Sequence, residues 1–386
     1  MKLPKDRKND YSRTAIDKRI KFLSSNNGID IKYLKGNKVD PENARGNIEN
    51  IIGFSQVPVG AIGPLKVNGD HAKGDFFVPL STSEGALIAS FNRGSRIITL
   101  SGGANVLVLK NTIQRAPCFE LKNLSKVQEF IEWIQNNFNT LKQVAESTTK
   151  TGKLTGYSTY IQGKIVFLRL EFFSGDAMGM NMVSKSSQEI CNYIKEHFPI
   201  EGYLLESNMA VDKKPSGINS ILGRGKSVTA EVVLKKDLIS KYLYTTSEAI
   251  DKAYRQQLMG GVLAGTQGAN GHFANGVAAL FLACGQDLAN ISESSVGYTY
   301  MEDLGGDLYV SVNLPSLVVG TVGGGTSLPT QRECLEIMGC YGNGKALKFT
   351  EIAAATVLAG EISLASSVVA GDFITAHEKY GRNRPK

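Results

Sequence analysis

Four ionisable residues, each in a motif of its own, provide the parts of a proton-transfer site. They are Glu84, Lys213, Asp287 and His377. A carboxylic acid can protonate a carbonyl oxygen, a lysine can stabilise the oxyanion that develops, and a histidine can protonate a leaving group. A second carboxylate can tune the pKa of the groups around it. The set therefore indicates proton movement at a carbonyl group.

Taken singly, each motif also has a simpler interpretation. Glu84 follows a serine and threonine cluster that can cap a helix over about residues 85–98, and an ordinary acid is favourable at a helix start. Lys213 lies in a loop before Pro215, where lysines are usually just solvated. Asp287 follows an apolar helical run, where an acid opposes the helix dipole and needs a partner unless it is a surface residue.

The composition is that of a globular protein. With 386 residues and 42% hydrophobic content, the chain can bury a sizeable core in two or three domains. The formal net charge of +7 is dispersed, which favours anionic small molecules over nucleic acid as partners. The start lacks a signal-peptide core and the apolar run at 352–370 contains Glu361, so we expect a cytoplasmic protein with no membrane span. Five cysteines without zinc-type spacing predict reduced thiols and no metal.

Two glycine-rich turns can offer backbone N–H groups to an anionic cofactor. The first, at 174–181, lies between a predicted strand at 164–172 and a helix that runs to His197. The second, at 322–326, follows a strand-like run. Because the first turn is not Gly-x-Gly-x-x-Gly, it does not predict a Rossmann fold. The polar start of the chain, with a helical piece at 13–23, indicates a docking segment.

Helical spacing groups two further sets of polar residues. His272 and Asn275 fall on one helical face. Asn92, Arg93 and Arg96 share a face of the helix predicted after Glu84. That second face is either a phosphate-binding edge or a solvated surface.

Six short motifs follow one another over most of the chain. They are Glu49-Asn50-Ile51-Ile52-Gly53, Thr82-Ser83-Glu84-Gly85, Asp176-Ala177-Met178-Gly179-Met180-Asn181, Asp212-Lys213-Lys214-Pro215, Cys284-Gly285-Gln286-Asp287 and Gly320-Thr321-Val322-Gly323-Gly324-Gly325-Thr326. In this order they resemble the 3-hydroxy-3-methylglutaryl-CoA (HMG-CoA) reductases, the NADPH-dependent enzymes that make mevalonate. The Asp-Lys-Lys-Pro loop is similar to that of the class I form, and the chain resembles its catalytic portion without a membrane anchor.

The resemblance implies an α+β fold in three parts. A short helical N-terminal segment (1–48) precedes a large α/β domain built around a central helix (49–115 and 217–386). A small ferredoxin-like NADP-binding domain (116–204) is inserted into it, and a catalytic loop (205–216) connects the two. The resemblance also implies a homodimer or tetramer with active sites at the dimer interface.

The implied reaction reduces a thioester to an alcohol with two hydrides through a mevaldyl intermediate. Lys213 would stabilise the oxyanion. Glu84, crowded by Asp287, would deliver a proton to the carbonyl oxygen, and His377 would protonate the departing thiolate. Each role matches the chemistry expected from the residue type.

The resemblance also assigns binding residues by motif position. The residues implied at the carboxylate and hydroxyl end of the substrate are Arg115, Asn208, Asp212, Lys214 and Asn275. Those implied to face CoA are Ser90, Asn92, Arg93, Arg96 and His272. Those implied to hold the dinucleotide are Asp176, Met178, Gly179, Met180, Asn181, Val322, Gly323, Gly325 and Thr326. Thr149 and Lys150 align with a serine-arginine pair that binds the 2′-phosphate, so NADPH is favoured over NADH.

Several positions depart from the family pattern. Glu206 replaces a serine, Ser220 replaces a tryptophan, and Tyr244 and Gln256 replace lysines. Each lost positive charge would weaken the binding of an anionic thioester by about 1 to 2 kcal/mol at an exposed contact. Two alternatives therefore stay open: a related reductase of a different branched acyl thioester, and a non-catalytic protein that binds CoA or a nucleotide.

Overall fold

The computed structural model describes Asp6, Asn9 and residues 12–27 and 39–371. His377 and the C-terminal tail lie outside the described residues, and so does part of the predicted N-terminal segment. Within the described residues the predicted fold class is confirmed, because helices pack on a mainly antiparallel sheet.

Helices occur along the whole described chain. In chain order the α-helices are α1 (Arg13–Asn27), α2 (Leu87–Leu100), α3 (Leu124–Ser147), α4 (Met180–His197), α5 (Gly217–Leu222), α6 (Lys236–Leu238), α7 (Ser247–Ala264), α8 (Phe273–Ala283), α9 (Ile291–Ser294), α10 (Pro329–Ile337) and α11 (Ala346–Ala370). Short 3-10 helices occur at Pro41–Ala44, Leu288–Asn290 and Gly324–Ser327, and a π-helical turn at Ile239–Leu243.

The strands form one continuous hydrogen-bonded array. They are β1 (Val59–Asn68), β2 (Lys73–Ser81), β3 (Ala104–Arg115), β4 (Cys118–Glu120), β5 (Lys153–Gln162), β6 (Ile165–Phe173), β7 (Gly202–Leu204), β8 (Gly225–Leu234), β9 (Tyr298–Leu304) and β10 (Asp307–Leu317). Their order is β7-β4-β6-β3-β8-β10-β9, with β5 on β6 and the β1–β2 hairpin attached to β3. Strand β3 pairs with β8 over 105–112 and with β6 over 113–115, so it leads from the larger sheet into the smaller one.

The larger core surrounds helix α11, which is buried along most of its length. Its alanine- and leucine-rich sequence favours helix, and Gly371 ends it in the left-handed conformation at φ 74°. At Gly94 of α2, a Cβ would collide with the backbone of Ala359, so glycine permits the two helices to touch. Among the described residues, α11 is the one helix with the length and composition of a membrane span, a test that core helices also pass.

A second core lies within residues 113–198, joined by Val318. Helices α3 and α4 pack against each other and cover the smaller sheet. Helix α3 is amphipathic, and its buried residues are Val127, Phe130, Ile134, Leu141 and Ala145. The domain boundaries given above stay predictions.

The start of the described chain packs as a separate small cluster. Ile16 and Ile20 of α1 contact Ala44 and Ile51, and Leu328 packs against the same group. The N-terminal helix is therefore attached to the loop that follows the second glycine-rich turn.

Two expectations about helix ends are wrong. Helix α2 begins at Leu87 after a left-handed Ala86 (φ 69°) and has no side-chain cap; the hydroxyl of Thr82 instead accepts the N–H of Glu84 at 3.0 Å. Asp287 does not end α8, which stops at Ala283. It caps the following 3-10 helix by accepting the N–H of Ala289 at 3.0 Å, a position where a carboxylate is favourable.

Candidate active site

The loop that carries Lys213 has an unusual backbone. Asn208, Val211 and Lys213 have φ angles of 65°, 55° and 58°, in the left-handed region that side chains other than glycine rarely adopt. A β-branched residue such as Val211 is especially disfavoured there. Such conformations persist only where the surrounding structure enforces them, and they concentrate at functional sites.

A buried ion pair enforces this loop conformation. The fully buried guanidinium of Arg224 lies 2.6 Å from Oε1 of Glu293 and 2.9 Å from Oδ1 of Asp212. Oε1 of Glu293 also accepts the backbone N–H of Lys213 at 3.1 Å. Burial raises the pKa of Glu293, although Arg224 and the Lys213 N–H oppose that effect. The loop is thus attached to the buried Arg224–Glu293 pair through the side chain of Asp212 and through the backbone N–H of Lys213.

The loop places the side chain of Lys213 next to the carboxylate of Asp287. Nζ of Lys213 lies 2.7 Å from Oδ2 of Asp287, which is the compensating partner expected for this acid. Nζ of Lys214 donates to Oδ1 of Asn208 at 3.2 Å. The lysine pair is therefore held in a structured site.

Arg115, the last residue of β3, lies close to the same loop. It forms an ion pair with Glu206 and donates to the hydroxyl of Ser184. Oε1 of Glu206 accepts the N–H of Asn208 at 2.9 Å. Glu206, one of the departures from the family pattern, thus connects Arg115 to the loop.

Asp287 lines a cleft of about 630 Å³ between the two glycine-rich turns, which we call the glycine cleft. Of the predicted dinucleotide residues it contains Met178, Gly179, Met180, Asn181, Val322, Gly323, Gly325 and Thr326. Gly179, left-handed at φ 92°, precedes the first turn of α4 and leaves its N–H groups facing this region. A Cβ on Gly325 would lie 2.6 Å from the carbonyl oxygen of Gly285, so the second turn packs directly on the Gly285-Gln286-Asp287 motif.

Three of the predicted cofactor residues do not line the glycine cleft. The carboxylate of Asp176 accepts the N–H groups of Gly344 and Ala346 at 2.8 and 3.0 Å, which caps the start of α11. The hydroxyl of Thr149 accepts the N–H of Gly152 at 3.1 Å, and Lys150 is exposed beside it at the end of α3. The structure therefore gives Asp176 a capping contact and leaves Lys150 accessible.

Glu84 lies in a different cleft of about 460 Å³, which we call the Glu84 cleft. Ser90, Arg93, His272 and Asn275 line it together with Glu84. Arg93 reaches across to α11, where Nη2 donates to the carbonyl oxygen of Ser363 at 2.7 Å. His272 precedes the first residue of α8 and Asn275 lies in its first turn, so the two residues line the same cleft without sharing a helical face.

Asn92 and Arg96 do not line the Glu84 cleft. Oδ1 of Asn92 accepts the N–H of Gly63 at 3.0 Å, and the guanidinium of Arg96 stacks 4.8 Å above the ring of Tyr242. Of the arginine face predicted on α2, only Arg93 reaches the cleft.

Helix α8 separates Glu84 from Asp287 within one chain. Asn275, which shares the Glu84 cleft, lies in the first turn of α8, and Asp287 follows its far end. The eight residues of helical rise from Asn275 to Ala283 alone correspond to about 12 Å. In the described chain no hydrogen bond or ion pair joins Glu84 to Lys213 or Asp287. The expected crowding of Glu84 by Asp287 does not occur inside a single chain.

Comparison with known proteins identifies the family. The family model described as hydroxymethylglutaryl-coenzyme A reductase matches residues 15–382. The chain belongs to this family. The 3-hydroxy-3-methylglutaryl-coenzyme A reductase of Methanocaldococcus jannaschii is 47% identical over 379 residues, covering 96% of this chain and 94% of the relative. That of Aeropyrum pernix is 47% identical over 380 residues, covering 96% and 90%.

A solved reductase structure shares the fold. It is the class II 3-hydroxy-3-methylglutaryl-CoA reductase of Streptococcus pneumoniae bound to NADPH in open conformations. It matches this chain with a TM-score of 0.70 at 19% identity, covering 92% of this chain and 86% of that one. At this identity the likeness concerns the fold alone.

Sequence reasoning missed three buried residues that organise the site of this HMG-CoA reductase family member. Arg224 and Glu293 hold the Lys213 loop, and Glu361 contacts His272, with Nδ1 2.9 Å from Oε1. The one available signal was Glu361, a single carboxylate inside an otherwise apolar run. An ionised group in that position requires a partner, because burial without one is costly.

Proposed function

We propose that this chain catalyses the NADPH-dependent reduction of HMG-CoA to mevalonate and CoA. The observation that carries the proposal is the Lys213–Asp287 ion pair beside the glycine cleft, with Nζ and Oδ2 2.7 Å apart. Family membership over residues 15–382 and relatives of that name at 47% identity support it.

The glycine cleft fits a dinucleotide. It offers backbone N–H groups at the start of α4 and at the 3-10 turn Gly324–Ser327, which suit the negative charge of a diphosphate. Among the described residues, Asp287 is the only charged side chain that lines the cleft, and Lys213 neutralises it. NADPH, which the Streptococcus pneumoniae relative binds, supplies the two hydrides when bound.

The side chains of the chain supply the remaining chemistry. The ammonium of Lys213, oriented by Asp287, stabilises the negative charge that develops on the carbonyl oxygen. Glu84 gives that oxygen its proton, and Asn275 in the same cleft holds the substrate next to it. His377, assigned by motif position, protonates the thiolate that leaves. Arg115 and Lys214 bind the substrate carboxylate.

A complete site requires two subunits in this proposal. Glu84 and Asp287 lie at opposite ends of α8, so Glu84 of one subunit meets Lys213 and Asp287 of another. Met259, Val262 and Leu263 on the last turns of α7 are exposed apolar residues, and a second copy of the chain would cover them. We therefore propose a homodimer, alone or paired into a tetramer.

The class and location follow as finer proposals. The Asp212-Lys213-Lys214-Pro215 loop supports a class I enzyme. All five cysteines are free, as is usual for proteins of the reducing cytoplasm, where we place this enzyme.

The proposed function is tested by following the reduced-nicotinamide absorbance of NADPH with HMG-CoA and, separately, with mevaldehyde. Oxidation with both is expected. Oxidation with mevaldehyde alone would indicate a reductase of another acyl thioester, which the exposed Tyr244 and the replacement of a second lysine by Gln256 would explain. No oxidation with either would favour a binding protein.

Cofactor choice is tested at Lys150. Lys150→Glu places a negative charge where the 2′-phosphate is expected, so the ratio of NADPH to NADH efficiency should fall about tenfold or more. Lys126→Glu, near the opposite end of α3 and about 32 Å from its last residue, is the control and should leave the ratio unchanged. An unchanged ratio in Lys150→Glu would place the 2′-phosphate elsewhere.

A further inference from the structure

We propose that Glu361 is a positioning residue that fixes the ring and tautomer of His272. Nε2 of His272 then accepts a hydrogen bond from an amide N–H of the pantetheine arm of the CoA substrate. This inference rests on the proposed function and adds a residue that the family motifs above do not contain.

Glu361 is a carboxylate with four hydrogen-bond donors around it, and it lies within the long, buried helix α11. Oε1 accepts the backbone N–H of His272 at 2.8 Å and lies 2.9 Å from its Nδ1. Oε2 accepts the N–H of Gly271 at 2.8 Å and the hydroxyl of Thr299 at 2.7 Å. Burial alone would raise the pKa of Glu361, but the hydrogen bonds from His272, Gly271 and Thr299, together with the electrostatic attraction of the His272 ring, outweigh it and lower the pKa below its usual value. The group is therefore an ionised acceptor.

An ionised carboxylate determines which ring nitrogen of His272 carries the proton. Because such a carboxylate can only accept, the proton between the two groups resides on Nδ1. In the neutral imidazole the other nitrogen, Nε2, is then an acceptor. Within the described part of the chain no hydrogen bond reaches Nε2, and the ring lines the Glu84 cleft. An acceptor in a largely apolar cleft suits an amide N–H donor.

The ring of His272 is also held from its faces. Phe91 stacks on it with the centroids 5.4 Å apart and the planes inclined by 29°. A Cβ on Gly360 would lie 2.5 Å from Phe91 and 3.0 Å from Cε1 of His272, and one on Gly276 would lie 2.8 Å from Phe91. Two glycines thus make room for the stack, and the ring has little freedom to rotate.

Glu351 provides a matched control on the same helix. It is fully buried, and its Oε2 accepts the N–H groups of His71 and Ala72 at 2.9 and 2.5 Å. It supports a hairpin turn, and among the described residues no imidazole nitrogen makes a hydrogen bond to it, although the His71 ring attracts it electrostatically. A merely structural role for Glu361 would make Glu361→Gln and Glu351→Gln behave alike.

The first test is the nitrogen-15 NMR spectrum of the imidazole groups in the wild-type protein. The chain has four histidines, and loss of one signal set in His272→Asn assigns His272. A protonated Nδ1 and a bare Nε2 are expected, and a proton on Nε2, in the opposite tautomer or in a doubly protonated ring, would overturn the proposal. Glu361→Gln should shift the signals toward the other tautomer, because an amide can donate to Nδ1, whereas Glu351→Gln should leave them in place.

The second test separates binding of CoA from chemistry. In Glu361→Gln the KM for HMG-CoA should rise about tenfold, as expected for one lost hydrogen bond. The kcat, the KM for NADPH and the reduction of mevaldehyde, which has no pantetheine arm, should not change. An equal loss with mevaldehyde, or an equal KM in both glutamine variants, would contradict the proposal. If the wild-type protein does not oxidise NADPH with HMG-CoA, the proposed function fails, while the NMR spectrum still decides the role of Glu361.

Discussion

At the scale of single residues, the Lys213–Asp287 pair tests the proposed chemistry directly. Lys213→Ala removes the cation that stabilises the oxyanion, so kcat should fall about 10²- to 10³-fold with HMG-CoA and with mevaldehyde. Binding of NADPH, measured by fluorescence titration, should stay close to that of the wild type. The variant keeps the backbone N–H that Glu293 accepts, so the loop should remain in place.

A second lysine–aspartate pair serves as the control for that variant. Nζ of Lys235 lies 2.7 Å from Oδ2 of Asp307, the same separation as in the site, but neither residue lines the two clefts. Lys235→Ala should therefore retain full turnover. If Lys213→Ala also retained most of its turnover, Lys213 would have no part in the mechanism.

Lys226 predicts a pH dependence of stability. Nζ of this fully buried lysine donates to the carbonyl oxygen of Val319 at 2.8 Å, and burial lowers its pKa from 10.5 to about 8. Between these two values the unfolded chain holds the proton and the folded chain does not. The contribution of Lys226 to the free energy of unfolding therefore becomes more favourable as pH rises through this window.

Lys226→Met removes the titrating group and should flatten this dependence. Urea unfolding of both proteins at several pH values from 7 upward measures it. Lys235→Met, which changes an exposed lysine, should keep the wild-type slope. Parallel curves for wild type and Lys226→Met would show that Lys226 does not titrate in this window.

At the scale of elements, the contact between the two glycine motifs should control the shape of the glycine cleft. Gly285→Ala places a Cβ against the carbonyl oxygen of Gly325 with no room to move, since both partners are backbone. We expect a large rise in the KM for NADPH and a lower thermal midpoint. Differential scanning calorimetry and initial-rate kinetics measure the two effects.

Gly305→Ala is a control that introduces the backbone strain of Gly285→Ala without its collision with a neighbouring residue. Gly285 and Gly305 both have left-handed φ angles, 66° and 74°, so alanine is strained by about 1 kcal/mol at either position. A Cβ on Gly305, in the turn between β9 and β10, meets nothing within 4 Å. Gly305→Ala should lose some stability and keep its KM. Equal effects of the two variants would mean that the contact of Gly285 with Gly325 is unimportant.

The sequence predicts the elements well where the signal is local. The strand, turn and helix around Gly179 and the proximity of His272 to Asn275 follow from the local sequence. The start of α2 could not be predicted, because nothing local indicates that Ala86 adopts a left-handed conformation. The partners of Glu361 could not be predicted either, since about ninety residues of chain separate it from His272.

At the scale of the whole molecule, the motifs predict the set of functional groups but not their distribution. Glu84 and Asp287 resemble partners in one relay, and residue spacing alone cannot show that α8 stands between them. Only the fold places Glu84 with His272 and Asp287 with Lys213. Because Glu84 is separated from Lys213 and Asp287 within one chain, we predict that two subunits together form each active site.

If each active site combines Glu84 of one subunit with Lys213 of another, two inactive variants should complement each other. A heterodimer of Glu84→Gln and Lys213→Ala contains one site with both native residues and one with neither. Coexpression that yields about half heterodimers should restore about a quarter of the wild-type activity, since one of two sites is intact in half of the dimers. Native mass spectrometry establishes the heterodimer fraction, and the doubly substituted chain paired with itself is the inactive control. Heterodimers without activity would mean that one chain holds the complete site and that Glu84 reaches Lys213 by a rearrangement around α8.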